Sequence, residues 1–362
     1  VLIIDILLVI LGLVLLIAGG EAIVRGASSL AARVGISPLV IGLVVVSAAT
    51  SAPELAVSID AVARGEDGLA IGNVVGSNIA NILLILGLSA MIKPLFIKRQ
   101  VVRFDIPVMV GMSLLLLGFS LDGELILIEG IILLAALTFH AVMSIVIGRR
   151  ETSSLDDQPE TLPLNSKPVK LWLAVLLLVA GIGLLALGAR ALVSGAVDIA
   201  TALGVSGLVI GLTVVAIGTS LPELATSIVA IRRGEQDMAV GNIVGSNIFN
   251  IGFVLGLPAV FMGSELSVPA AAISVDIPLM LAGALALLPI AFTGFKIARW
   301  EGTLFFLLYG AYILYVVLDS TGHDSARGFS LAMLWLVLPL IAATLIAVTS
   351  YEIGLIRGRS KK

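Results

Sequence analysis

Residues 72–81 read GNVVGSNIAN, and residues 241–250 read GNIVGSNIFN. Upstream of each, ATSAPELAVSI (49–59) is answered by GTSLPELATSI (218–228). The two stretches belong to one alignment. Residues 35–87 superpose on 204–256 without a gap at an offset of 169, and 33 of the 53 positions are identical. The matches include Pro, Glu, Asn and Ser, so shared hydrophobicity does not account for them. The chain carries an internal repeat, and the repeat holds most of its unusual polar residues.

The surrounding chain defines the solvent. Of 362 residues, 59% are hydrophobic and 12% are charged, with a mean hydropathy of +1.17. A soluble domain carries about 25% charged residues, so this composition excludes an ordinary cytosolic enzyme, a disordered chain and a nucleic-acid binder. There is no cysteine, which excludes disulfides, thiolate metal sites and cysteine nucleophiles. The two histidines, His140 and His323, are far apart and form no zinc motif. The fold class expected is an all-α polytopic membrane protein, bathed in membrane lipid, with no enzymatic activity, no nucleic-acid partner and no obligatory protein partner.

A bilayer core of about 30 Å takes roughly 20 apolar residues per helix. Eleven stretches qualify: 2–18, 39–62, 69–91, 104–119, 124–147, 170–188, 208–231, 238–262, 271–290, 301–318 and 330–349. Their continuous apolarity argues against a barrel, whose strands alternate. The first stretch lacks the basic flank and small-residue cleavage site of a signal peptide, and reads as a retained helix. Alternating the connecting segments between two sides places 18 of the 21 basic residues on one side, leaving Arg64, Arg190 and Arg327 on the other. The positive-inside rule then sets the N-terminus outside and the C-terminus inside.

Five spans separate the two copies of the repeat, so the copies cross the membrane in opposite directions. This is an inverted-topology repeat with its pseudo-two-fold axis in the membrane plane. The expected division is 1–148 as the first five-helix unit, 149–169 as a polar cytoplasmic linker, 170–318 as the inverted second unit, and 319–362 as an additional helix with a basic tail. Two inverted halves suit alternating access, so a transporter ranks above a channel or scaffold.

Glu54 and Glu223 lie deep in apolar spans. An uncompensated carboxylate there costs several kcal/mol, so it faces a cavity and meets a cation or proton. Each follows a proline, Pro53 or Pro222, which lacks an N–H and disrupts the helix. Thr50 and Ser51 precede Glu54 by four and three residues and should share its helical face. Thr219 and Ser220 stand likewise to Glu223. In the third and eighth spans Ser77 and Asn81, and Ser246 and Asn250, share a face by the same spacing. Gly72, Gly76, Gly241 and Gly245 are expected to press spans 3 and 8 against spans 2 and 7. The inventory is all oxygen, which suits a hard cation such as Ca2+. Na+ binds the same oxygens, and soft metals are disfavoured.

The paired TS-x-PE and GSN-x-x-N motifs, in inverted placement, resemble the calcium/cation antiporter family, and within it the prokaryotic sodium/calcium exchangers. The resemblance implies a ten-helix core in which helices 1 and 6 slide across an eight-helix body. It implies Ca2+ held between Glu54 and Glu223 with the Thr50 and Thr219 carbonyls. It implies Na+ sites at Ser51, Ser77, Ser220 and Ser246, with Asn81 and Asn250 lining the middle. No cofactor is implied; the transported ions are Ca2+ and Na+, and the location is the cytoplasmic (inner) membrane of a prokaryote. Asparagine in both repeats removes a potential third negative charge and argues against a potassium requirement. Ca2+/H+ exchange through the same glutamates is the alternative, followed by a passive cation channel.

The remaining polar residues have structural readings. His140 is expected in an interhelical hydrogen bond, Asp105 and Asp276 at helix N-termini, and Glu129 with a polar neighbour. The tryptophans and Tyr309, Tyr312 and Tyr315 read as packing or interface aromatics. Arg64 and Arg233, in the two RGE turns, read as turn caps rather than gates.

Overall fold

The computed structural model describes residues 2–153, 169–205, 207–210, 213–214, 216–261, 265–292 and 294–321, with single positions at 346 and 350. Most of the 149–169 linker and the expected eleventh span therefore lie outside the described residues.

The first unit comprises α1 (Leu2–Val34), α2 (Pro38–Thr50), α3 (Ala52–Ala63), α4 (Asp67–Ile92), α5 (Val101–Asp122) and α6 (Leu127–Ser153). The second comprises α7 (Leu171–Ala202), short helical pieces at Gly207–Ile210 and Ala216–Gly218, then α8 (Leu221–Arg232), α9 (Gln236–Phe261), α10 (Ala272–Phe292) and α11 (Arg299–Ser320). Among the described residues eight helices are long and apolar enough to cross a membrane singly, and nine if α2 and α3 count as one bent span. The seventh expected span is described only in its pieces and α8. The chain is a multi-pass helical membrane protein.

The bundle is layered by burial. In α4 and α9, 72% and 78% of the most apolar window is buried, against 22% and 28% in α1 and α7. The GSN helices thus form the centre, and α1 and α7 lie outside. α9 packs on α2 of the opposite unit, α6 packs on α9, α11 packs on α4, and α5 packs on α10. Two short antiparallel ladders clasp the units at the ends of the bundle. β1 (Leu95–Phe96) pairs with β4 (Lys296–Ile297), and β2 (Glu124–Leu125) pairs with β3 (Leu266–Ser267). The first ladder joins the α4–α5 and α10–α11 loops; the second joins α5–α6 to α9–α10. Lys98 reaches Asp237 at 2.9 Å near the first clasp, and Asp67 accepts from the Ser267 amide at 3.0 Å near the second.

Two expectations are corrected. The first and sixth helices are not 2–18 and 170–188 but 33 and 32 residues long. At 1.5 Å per residue each reaches about 50 Å, well beyond a hydrocarbon core. The polar Glu21 and Arg25, read as loop, are helical because nothing in 19–34 breaks a helix: the stretch has no proline, and its glycines serve packing. Nor do the four GSN-helix glycines act alike. Gly241 and Gly245 face Leu39 and Leu43 of α2, in the opposite repeat, not span 7, while a Cβ at Gly72 or Gly76 meets no described neighbour.

The long helices pack on each other along most of their length. Gly12, Gly19 and Gly26 recur seven apart in α1, and Gly181, Gly188 and Gly195 recur seven apart in α7, again at the offset of 169. They bring the two backbones together. A Cβ at Gly19 would stand 2.9 Å from the Gly181 carbonyl oxygen, and one at Gly188 would stand 2.8 Å from the Leu16 nitrogen. Small residues supply such van der Waals association where lipid offers no hydrophobic drive.

Gly188→Leu should therefore destabilise the α1–α7 pair by about 1–3 kcal/mol, the usual range for overpacking. Gly183→Leu, at an exposed position of α7 with no described neighbour within 4 Å, should be tolerated. Thermal unfolding of the two purified variants checks the difference.

Candidate ion-binding site

Both glutamate-bearing helices begin at a break in the chain. α2 ends at Thr50, and α3 leaves it at a bend of 40°. Ser51 sits at the bend with φ −79° and ψ 0°, and Ser220 takes φ −87° and ψ 3° ahead of α8. Pro53 and Pro222 occupy the first turn of α3 and α8, where a missing N–H is tolerated. Glu54 and Glu223 follow in the same first turns, at the positive ends of the two helices.

Glu54 and Glu223 are both fully buried. They lie near enough for Glu223 to act electrostatically on Glu54. Among the described residues none of their four carboxylate oxygens has a hydrogen-bond partner of good geometry, and Thr50 is the side chain that acts on Glu223. On the same broken and central helices the Ser51 and Ser220 hydroxyls, both amide atoms of Asn81 and the Asn250 Oδ1 are likewise buried without partners among the described residues. Native interiors leave few such groups, since each unmatched neutral one costs about 1–3 kcal/mol and a charge costs more. A concentration of unmatched oxygens around two carboxylates is what a cation's coordination shell requires. Among the described residues no cluster joins three or more His, Asp or Glu side chains as a metal site. The fixed negative charge is thus confined to the two glutamates.

The pseudo-two-fold axis reappears in the polar contacts. The Thr50 hydroxyl lies 3.3 Å from that of Ser246, and the Thr219 hydroxyl lies 3.5 Å from that of Ser77. Each pair joins a broken helix of one unit to the GSN helix of the other. Thr50 also donates to Asn242 Oδ1 at 3.2 Å. The expected common face of Thr50 and Glu54 is thus interrupted by the bend, and the Thr50 hydroxyl belongs to a cross-repeat contact. All ten residues singled out by sequence lie in these two broken helices and two central helices. Nine are buried, and Thr219 is half-buried.

Sequence reading missed the scaffold around them. Asn73 donates to the Glu54 carbonyl and to the Ser58 hydroxyl, each at 3.2 Å, and Asn242 donates to the Ser227 hydroxyl at 3.3 Å. Asn250 donates to Asn78 Oδ1 at 3.0 Å, and Asn78 in turn donates to the Asn247 carbonyl at 3.2 Å. Ser47 donates to carbonyls of Gly42 and Asn242. Asn73 stands four residues before Ser77, so the spacing that found Ser77 and Asn81 extends to it. The helices open into wide turns with i→i+5 bonding at Ala80–Leu86 and Asn250–Leu255, where Asn81 and Asn250 lie. Such turns concentrate at functional sites.

Of the structural readings, His140 does make an interhelical bond. Its Nε2 lies 2.9 Å from Asp105 Oδ1, which also accepts from Ser144 at 2.8 Å. Asp105, near the start of α5 as expected, is fully buried and bonds to α6. Asp276 accepts from Tyr312 at 3.1 Å, so Tyr312 does more than pack. Glu129 accepts from the Ile126 amide at 2.9 Å. Arg64 pairs with Asp60 on its own helix at 2.8 Å, whereas Arg233 crosses to Glu21 on α1 and is not a turn cap.

A multi-pass helical bundle built on an internal repeat, with paired carboxylates at paired helix breaks, suits a secondary transporter of cations. The chain belongs to the sodium/calcium exchanger protein family, whose pattern matches residues 4–146 and 173–318. It is 33% identical to the sodium/calcium exchanger MaX1 of Methanosarcina acetivorans over 344 residues, covering 86% of this chain and 98% of that one. It is 42% identical to the putative antiporter CaxA of Alkalimonas amylolytica over 283 residues, covering 77% and 87%. Among solved structures it resembles the sodium-calcium exchanger NCX_Mj soaked with Na+ and Sr2+, with a TM-score of 0.73 and 33% identity over 87% of this chain and 99% of that one.

Asn78→Ala should strand the buried Asn250 side-chain amide, which donates to Asn78 Oδ1. It should cost about 1–3 kcal/mol, read as a lower unfolding temperature of the purified protein. Ser274→Ala, on an exposed hydroxyl bonded only within its own helix, should leave that temperature in place.

Proposed function

We propose that this chain exchanges Na+ for Ca2+ across the cytoplasmic membrane of a prokaryote by alternating access, with Ca2+ held between Glu54 and Glu223. Its family membership supports antiport of Ca2+ against another cation. The observation that carries the finer reading is the set of four carboxylate oxygens in the first turns of α3 and α8 that have no hydrogen-bond partner of good geometry among the described residues, with unpartnered neutral oxygens on the same broken and central helices. Two carboxylates balance one divalent charge. The extra hydroxyl and amide oxygens supply the further ligands that Ca2+ takes.

The same neutral oxygens favour Na+ over H+ as the counter-ion. A proton needs only the carboxylates, and leaves Ser51, Ser220, Asn81 and Asn250 with nothing to bind. Na+ uses those oxygens once Ca2+ has left. An inner-membrane location is in keeping with a 41% identical relative, an inner membrane protein of Escherichia coli.

Radioactive Ca2+ uptake into proteoliposomes loaded with Na+, with K+ or at an imposed pH gradient tests this reading. Uptake should follow the outward Na+ gradient alone; uptake driven only by pH would replace Na+ with H+. If three Na+ exchange for one Ca2+, as the family resemblance implies, one net charge moves per cycle. A membrane potential should then bias the exchange by about 2.3 kcal/mol per charge per 100 mV. Na+-dependent flux should rise or fall with the sign of a K+/valinomycin potential, and flux indifferent to it would indicate electroneutral exchange.

A further inference from the structure

The inverted repeat makes residues of the two units direct counterparts at the offset of 169, and the counterparts are not in equal surroundings. In α8, Pro222, Thr226 and Val229 are buried; in α3 the counterpart Pro53 is half-buried, and Val57 and Asp60 are exposed. The cause is α1. It lies closely along α8, where a Cβ at Gly20 would stand 3.2 Å from the Ala225 carbonyl oxygen. The counterpart contact, α7 against α3, is marginal. The bundle is therefore closed along α1–α8 and open along α7–α3.

An ion pair sits at the closed contact and nowhere else on the α1–α7 pair among the described residues. Arg233, just after α8, holds Glu21 of α1 two-point: Nε donates to Oε2 at 2.8 Å, and a terminal nitrogen bonds Oε1. Both side chains are partly exposed, in a groove of about 530 Å³ lined also by Val14, Ile17, Val229 and Arg232. The counterparts of Glu21 and Arg233 are Arg190 and Arg64, two cations. The counterpart of Val229 is Asp60, which Arg64 already engages on its own helix. If the bundle closed instead along α7–α3, Arg190 would meet Arg64 and compete with it for Asp60. A fork-to-carboxylate pair is directional and joins two moving parts here; its counterpart cannot form.

We infer that Glu21 and Arg233 are a one-sided latch, positioning residues that hold α1 against α8 and so bias which face the central site opens to. The inference rests on the alternating-access reading above. It adds an asymmetry that the repeat itself does not supply: chemistry at the site is nearly two-fold, while the latch is not. On the positive-inside reading, the latched end, carrying Arg232 and Arg233, is the cytoplasmic one.

The chain has no cysteine, so spin labels can be placed without background. One label pair, Val34→Cys with Arg232→Cys, reports the α1–α8 separation; the counterpart pair, Leu203→Cys with Ala63→Cys, reports α7–α3. Distances are measured by pulsed electron resonance on the full chain in detergent, without an ion gradient. The parent should show a short α1–α8 distance and a longer, broader α7–α3 distance. Glu21→Gln should raise the population with a widened α1–α8 distance about three-fold, in keeping with a partly exposed ion pair. The exchanged variant, Glu21→Arg with Arg233→Glu, should return it to the parent level. Asp60→Val with Arg190→Glu, which copies the latch into the first unit, should shorten the α7–α3 distance. Populations unmoved by Glu21→Gln, or an exchanged variant no better than the single one, would overturn the latch. These distances require no transport, so failure of the Na+/Ca2+ reading would appear in the flux assay and not here.

Discussion

Two carboxylates in one low-dielectric pocket set the terms for this protein. Burying an ionised group away from water costs several kcal/mol even after relaxation, and placing two together adds their repulsion. Glu54 and Glu223 are fully buried, and among the described residues their oxygens have no hydrogen-bond partner of good geometry. On the proposed reading a cation between them offsets that cost, and the reading accounts for the features built around the pair: the helix breaks that place the glutamates at positive helix ends, and the amides and hydroxyls that have oxygen to spare. A binding site that had to be only occupied could use a closed cage. One that must release its ion to either face needs walls that move.

The inverted repeat answers both needs with one sequence used twice. The central pair α4 and α9 is the most buried part of the bundle and is fastened across the repeat by asparagine bonds, while the strand clasps tie their flanking loops to those of the opposite unit. The outer pair α1 and α7 is bonded chiefly to itself, through glycines that permit backbone contact. A rigid centre beside a self-contained outer pair is a division of labour suited to one body moving past another. Lipid imposes the same division energetically, because packing rather than hydrophobicity decides which helices stay together.

Much of this was legible in the sequence because the lipid setting makes polar residues informative. Glu54, Glu223 and the TS-x-PE and GSN motifs stood out against an apolar background, and their duplication pointed to the paired helix breaks. The site's scaffold was less visible. Asn73 and Asn242 lie in the same motif, but their role depends on how α4 lies against α3 and α9 against α8. The ends of α1 and α7 were misjudged because hydropathy marks the apolar part of a helix, not its hydrogen-bonded length, and Glu21 and Arg25 sit beyond that part. The heptad glycines were available at the offset of 169 and needed only the repeat to be carried back to residue 12. The burial of Asp105 against His140, and the reach of Arg233 to Glu21, depend on tertiary neighbours that spacing does not encode.

In the proposed exchange, Glu54 and Glu223 are the Ca2+ ligands that carry charge. Ca2+ flux through purified Glu54→Gln and Glu223→Gln variants in Na+-loaded proteoliposomes measures this most directly, with thermal unfolding as the check that each variant is folded. Glutamine keeps the shape of the side chain and removes the charge that offsets dehydration of a divalent ion. Each variant should be folded and lose Na+-dependent Ca2+ flux; a folded variant of either that transports Ca2+ at the parent rate would contradict the assignment.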